Sequence, residues 1–140
     1  MLKVNVRRLH PDARLPYYDY PGDAGLAMHT LEGKLLHPGE RARFNCGWAL
    51  EFDESYVALV LDRGSMGQQG LKTIGGVFDS NYRGEYNVNL VNLSHEPYEI
   101  KKGDKVAQLV LVCIGNAVFS EVEELTPSER GDKRFGSTGR

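Results

Sequence analysis

The sequence predicts an all-β domain, a jelly-roll-like β-barrel, from three observations. Sixteen glycines in 140 residues demand many turns. Between them lie short β-rich runs at near-regular spacing, the pattern of a barrel or jelly roll. No segment keeps a helical period beyond a turn or two.

The runs follow in chain order. Lys3 to Leu9 alternates loosely. Tyr56 to Leu61 reads Tyr-Val-Ala-Leu-Val-Leu, a continuous apolar run that predicts a strand buried on both faces. From Glu85 to Leu93, Tyr86, Val88 and Leu90 alternate with Asn87 and Asn89. A period of two predicts one buried and one wet face. Val106 to Ile114 is a long strand, and Ala117 to Val122 a shorter one. Pro-Gly at 21–22 and 38–39 and Gly-Asp at 103–104 are turns.

Composition narrows the function classes. The length suits one domain, and 41% hydrophobic residues exclude disorder of the whole chain. No apolar run reaches the ~18–20 residues of a membrane-spanning helix. Two cysteines, Cys46 and Cys113, cannot form a disulfide scaffold or a four-thiolate metal site. The first residues lack the basic-then-apolar pattern of a secretory signal, so a cytoplasmic location with reduced thiols is expected. A formal net charge of −2 gives no reason to expect nucleic acid or an anionic membrane as partner.

Residues 1–125 read as the β domain and 126–140 as a distinct arm. The arm has one large apolar side chain, Phe135, and four basic residues (Arg130, Lys133, Arg134, Arg140) against Glu129 and Asp132. Such a stretch cannot bury enough apolar surface to order itself. Its composition fits a frayed terminus or an arm that orders on an anionic ligand. Arg130 and Arg134 would supply charge, and Gly136, Ser137, Thr138 and Gly139 a cradle for phosphate oxygens.

Five segments combine glycine with polar residues. They are Gly22-Asp23-Ala24-Gly25-Leu26, Asp62-Arg63-Gly64-Ser65-Met66-Gly67, 75–84 (Gly75-Gly76-Val77-Phe78-Asp79-Ser80-Asn81-Tyr82-Arg83-Gly84), Gly103-Asp104-Lys105-Val106-Ala107-Gln108, and 130–139, which ends Phe135-Gly136-Ser137-Thr138-Gly139. Each alone is an ordinary turn. Tyr82, however, sits amid Asp, Ser, Asn and Arg, a poor core context. Gln108 lies in an apolar strand, where an amide needs partners. In this order the five resemble the five motifs of the trimeric dUTP diphosphatases (dUTPases), over about residues 20–140.

The resemblance implies a β jelly roll and a homotrimer with active sites shared between subunits. It implies hydrolysis of dUTP to dUMP and pyrophosphate, limiting uracil in DNA and supplying dUMP for dTMP synthesis. Mg²⁺ would be held mainly by the triphosphate and water, with no direct protein ligand. By motif, Asp79 would activate the attacking water as general base, with Gln108 beside it in the catalytic set. Tyr82 would lie against the deoxyribose, and Gly76, Val77, Phe78, Asn81 and Tyr82 would meet the uracil through the backbone of their hairpin. Arg63, Gly64, Ser65, Gln108, Arg130 and Arg134 would face the phosphates, joined by Gly136, Ser137 and Thr138. Phe135 would stack on the uracil, the arm closing over the nucleotide.

The sequence departs from the family at two polar positions. Ala27 stands where the first motif has an Asp that helps hold the metal's outer waters and the site's polar network. Gly64 stands where the second motif has a Ser that contacts the phosphates. Phe78 replaces the usual Ile, and Arg134 a common Gly. Two further readings follow: a dUTPase-like nucleotide-binding or regulatory protein of low activity, and the related dCTP deaminase. The deaminase needs a carboxylate near Asn89, and an amide cannot shuttle protons there.

Overall fold

Residues 1–134 are described by a computed structural model, and their longer strands lie in runs of four to nine residues without a turn signal. The elements are β1 (Asn5–Arg8), β2 (Leu26–His29), β3 (Lys34–Leu36), β4 (Arg41–Asn45), β5 (Trp48–Glu51), β6 (Tyr56–Leu61), α1 (Gly64–Gln68), β7 (Leu71–Thr73), β8 (Val77–Phe78), β9 (Asn87–Asn92), β10 (Tyr98–Ile100) and β11 (Lys105–Cys113). Shorter strands such as β3, β7, β8 and β10 survive because longer ones template them. All pairings are antiparallel. The sheet orders are β1-β5, β10-β3, β2-β11-β6-β8 and β4-β9-β7. This is the expected all-β, jelly-roll-like architecture.

The core forms where the inner faces of these sheets meet. Tyr86 and, on β9, Val88 and Leu90 are fully buried, and they pack with Met28, Phe44, Trp48, Val60 and Leu109. The alternation read from the sequence is therefore real: Asn87 and Asn89 face outward, half-exposed. Tyr86 is sandwiched between Trp48 and Phe78, with ring centroids 4.9 and 4.3 Å away. That stack joins β5, β8 and the start of β9, and so anchors the hairpin 75–84 to the core.

Two expectations are corrected. β6 is not buried on both faces. Ala58 and Val60 are buried, while Val57 and Leu59 are half-buried and Leu61 is exposed. Only one of its faces meets another layer within the chain. Asn92, at the end of β9, is buried. It shares the buried face of Val88 and Leu90, donates to the carbonyls of Leu36 (2.9 Å) and Glu96 (2.8 Å), and accepts from the Ser94 N–H and hydroxyl. Those four bonds make burial of an amide tolerable. Residues 117–122 form no strand, and among the described residues no strand pairs with them to complete a ladder. Val118 and Phe119 there are 100% and 94% exposed.

Candidate functional site

Antiparallel pairing of β11 with both β2 and β6 brings three of the five segments together. In the register, Gln108 faces Ala27 on one side and Leu61 on the other. A cavity of about 240 Å³ opens there, lined by Asp19, Asp23, Ala24, Gly25, Ala27, Arg63, Lys105, Ala107 and Gln108. Segment one enters as the approach to β2, segment two as the exit from β6, and segment four as the start of β11.

Each polar side chain in this cavity is held. The Gln108 amide donates to the Asp62 carbonyl at 2.9 Å, which answers what a half-buried amide does in an apolar strand. Arg63 donates through Nη1 to the Lys105 carbonyl at 3.0 Å. The rest of its guanidinium fork remains for oxyanions. Gly64 opens α1, and the position of a Cβ on it is free of neighbours. Ser65 lines a separate, adjoining cavity with Arg63, Gln69 and Lys105. Met66 is buried and pins the helix to the core.

Two carboxylates missing from the sequence-based site organise it. Asp62 accepts from Lys72 Nζ (2.7 Å) and from the Thr73 N–H (2.7 Å) and hydroxyl (2.6 Å). Burial acts to raise its pKa, but those hydrogen bonds outweigh it and hold the carboxyl below the ordinary value. The loop whose carbonyl orients Gln108 is thereby tied to β7. Asp19 accepts from Lys105 Nζ with both oxygens, at 2.6 and 2.7 Å. Lys105 holds the Asp19 carboxyl below its usual value, and Asp19 in turn pushes the Lys105 ammonium up. The ammonium also lies 5.4 Å from the centre of the Tyr17 ring. The signal for Lys105 was its place inside segment four. Asp19, four residues before Asp23, carried none that a single sequence reveals.

The third segment lies elsewhere. Val77 and Phe78 pair with Leu59 and Ala58, and the Tyr82 N–H closes a turn onto the Asp79 carbonyl at 3.1 Å. Gly76 has φ +96°, and a Cβ on it would stand 2.8 Å from that of Val60. Only glycine lets the hairpin close onto β6 while Val60 N–H bonds the Gly76 carbonyl at 2.8 Å. Asp79 and Asn81 are exposed. Tyr82, 39% exposed, rests at 5.4 Å against Phe78 and donates its hydroxyl to the Glu85 carbonyl at 3.1 Å. Continuing the register by one residue, Asp79 stands level with Val57, six residues before Arg63, which follows the end of β6. At ~3.3 Å per residue that is roughly 20 Å. One chain therefore does not bring Asp79 to its own Arg63 and Gln108.

Of the fifth segment, Arg130 is exposed, and its Nε donates to the Lys133 carbonyl at 3.2 Å, beside a turn in which Gly131 N–H bonds Ser128. Arg134 is exposed. Phe135, Gly136, Ser137 and Thr138 lie outside the described residues. Among the described residues, no group of three or more His, Cys, Asp or Glu could hold a metal ion. No helix there is long and apolar enough to cross a membrane.

Comparison with known proteins agrees with this geometry. The dUTPase family model matches residues 12–139. A deoxyuridine 5'-triphosphate nucleotidohydrolase of Thermobifida fusca is 42% identical, over 99% of this chain and 79% of that protein. One from Nautilia profundicola is 37% identical, over 99% of this chain and the whole of the relative. Among solved structures, a dUTPase mutant of Staphylococcus bacteriophage 80alpha with dUpNHpp superimposes with a TM-score of 0.92, at 29% identity over 99% of both chains. A mutant dUTPase from phage phi11 of S. aureus, described for its coordination of a structural Mg(II) ion, gives 0.83 at 27% identity, over 89% of this chain and 99% of that one.

Proposed function

The chain belongs to the dUTPase family, and on that premise we propose that it hydrolyses dUTP to dUMP and pyrophosphate in a Mg²⁺-dependent reaction. The observation that carries this is the cavity in which Arg63 and the oriented Gln108 amide converge. It offers a cation and fixed donors to phosphate oxygens, while the Asp79–Tyr82 hairpin presents an exposed carboxylate and a sugar-sized aromatic face. Asp79 takes a proton from water as its oxygen attacks the α-phosphorus, and the pyrophosphate leaves with the electrons of the α–β bridge. Tyr82 excludes a ribose 2′-hydroxyl. Arg130, Arg134, Ser137 and Thr138 close on the phosphates, and Phe135 on the uracil.

The donor set fits a metal brought by the substrate. With Ala27 in place of a carboxylate and Asp19 engaged by Lys105, Mg²⁺ would be held by the triphosphate and water rather than by a side chain of this cavity. Bound there it neutralises phosphate charge.

The roughly 20 Å between Asp79 and Arg63 within one chain supports a homotrimer whose sites each take the hairpin from one subunit and the phosphate cavity from another. Closed cyclic symmetry makes every site complete. The exposed Val118, Phe119, Val122 and Leu125 supply apolar surface for those contacts. The arm 126–140 closes over the nucleotide, and the enzyme works in the cytoplasm, lowering uracil incorporation and supplying dUMP.

Incubation with dUTP and Mg²⁺, followed by pyrophosphate release, tests the reading. Turnover supports it. Tight binding without turnover favours the nucleotide-binding protein that Ala27 and Gly64 suggest, and deoxyuridine nucleotides formed from dCTP would favour the deaminase.

A further inference from the structure

We propose that Asp19 is the positioning carboxylate of the phosphate cavity, holding the Lys105 ammonium in place, a hold that a carboxylate introduced at position 27 would take over. The inference rests on the reading of this cavity as the triphosphate site.

Three observations converge. Ala27 and Asp19 line the same cavity, with Arg63, Lys105 and Gln108, so a carboxylate absent from β2 is present elsewhere on the same wall. Asp19 meets Lys105 with both oxygens, the arrangement that fixes an otherwise mobile four-carbon stem. Lys105 is also linked to segment two, because its carbonyl accepts from Arg63. Asp19, Lys105 and Arg63 thus form one chain of contacts along the cavity wall. An ammonium has three donors. Asp19 and the Tyr17 side chain hold them, so Lys105 acts on the phosphates through the charge they fix in place. The Tyr17 ring, with its centre 5.4 Å from the ammonium, is a further contact that restricts it.

This role makes a prediction opposite in sign to simple charge counting. If Asp19 only neutralised a nearby cation, removing it would free positive charge and tighten binding of a polyanion. If it positions Lys105, removing it releases the stem and weakens binding.

The test uses the full chain, with α,β-imido-dUTP and Mg²⁺ as the probe and steady-state dUTP hydrolysis as a second readout. Asp19→Ala is expected to raise the dissociation constant about tenfold and to lower kcat/KM similarly. Lys105→Met should match it, and the double variant should be no worse than either, since the pair acts as one unit. Asp19→Ala with Ala27→Asp should recover most of the loss, which a merely structural role would not allow. Asp19→Asn, closer in shape, repeats the measurement if Asp19→Ala fails to fold. Unchanged or tighter binding by the folded Asp19 variants, or no recovery with Ala27→Asp, overturns the inference while leaving the proposed function intact. Failure of the unaltered protein to bind the probe overturns both.

Discussion

A Cβ built on Gly25 would stand 2.1 Å from Oε1 of Gln108 and 3.0 Å from its Cβ. The first and fourth segments touch here, and the absence of a side chain on one is what lets the amide of the other reach the Asp62 carbonyl.

Gly25→Ala should therefore displace the Gln108 amide while leaving the barrel folded, since the group that must give way is the end of a flexible side chain. Catalytic efficiency is expected to fall roughly tenfold, the scale of one positioned hydrogen bond. Gln108→Ala should fall comparably, and the two together no further. An unchanged melting temperature with lowered kcat/KM checks it. Full activity in Gly25→Ala would show that the amide is not needed where it stands.

Asp79→Asn keeps the shape of the exposed carboxylate and removes its basicity. Turnover should drop by at least ~10²–10⁴ with binding of α,β-imido-dUTP largely retained. Tyr82→Ala should instead relax discrimination between dUTP and UTP, read as the ratio of their kcat/KM values.

Gly64→Ser tests the departure in segment two. The site of a Cβ on Gly64 is open, so the hydroxyl enters without displacing a neighbour. A hydroxyl reaching the phosphates should raise kcat about tenfold or more. Replacing glycine in α1 should also raise stability by about 0.5 kcal/mol. A stabilised protein with unchanged kcat would place position 64 outside the reacting centre.

Alkaline pH should loosen the core through two buried acids. Burial pushes the Cys46 thiol up from 9.0 to about 12 and the Tyr86 phenol up from 10.0 to about 12. The folded chain therefore keeps protons that the unfolded chain gives up. Stability is full below about pH 9 and declines as pH rises toward 12, by up to about 1.4 kcal/mol per pH step and group. Urea melts at pH 8, 9 and 10 should show the midpoint falling. Cys46→Ala should start lower, for lost packing, yet decline less between pH 9 and 10, where the thiol is the first of the two to titrate.

Long periodic segments were legible in the sequence and short or cooperative ones were not. β6, β9 and β11 stand within a residue or two of where alternation and apolar runs put them, because each is long enough for its own pattern to decide. β3, β7, β8 and β10 span two or three residues and exist through their neighbours, which no local pattern encodes. The motif residues of the cavity were legible as a constellation. The Asp62–Thr73 and Asp19–Lys105 bonds were not, since they join residues 11 and 86 positions apart. The period of two that puts Val88 and Leu90 inside also puts Asn92 inside, and its four hydrogen bonds make that tolerable.

In the proposed trimer, the separation of Asp79 from Arg63 within one chain would have a genetic consequence. Two chains, one crippled at Asp79 and the other at Arg63, would each be dead alone, yet co-expressed they could build mixed assemblies in which some sites draw both intact halves. The same arithmetic works in reverse for a single defective allele. A chain that assembles normally but lacks one half spoils a site completed by its neighbour, so loss of activity in a heterozygous or mixed population would depend on how the copies are dealt among the rings. Dosage, not merely catalytic competence, becomes a property of this fold.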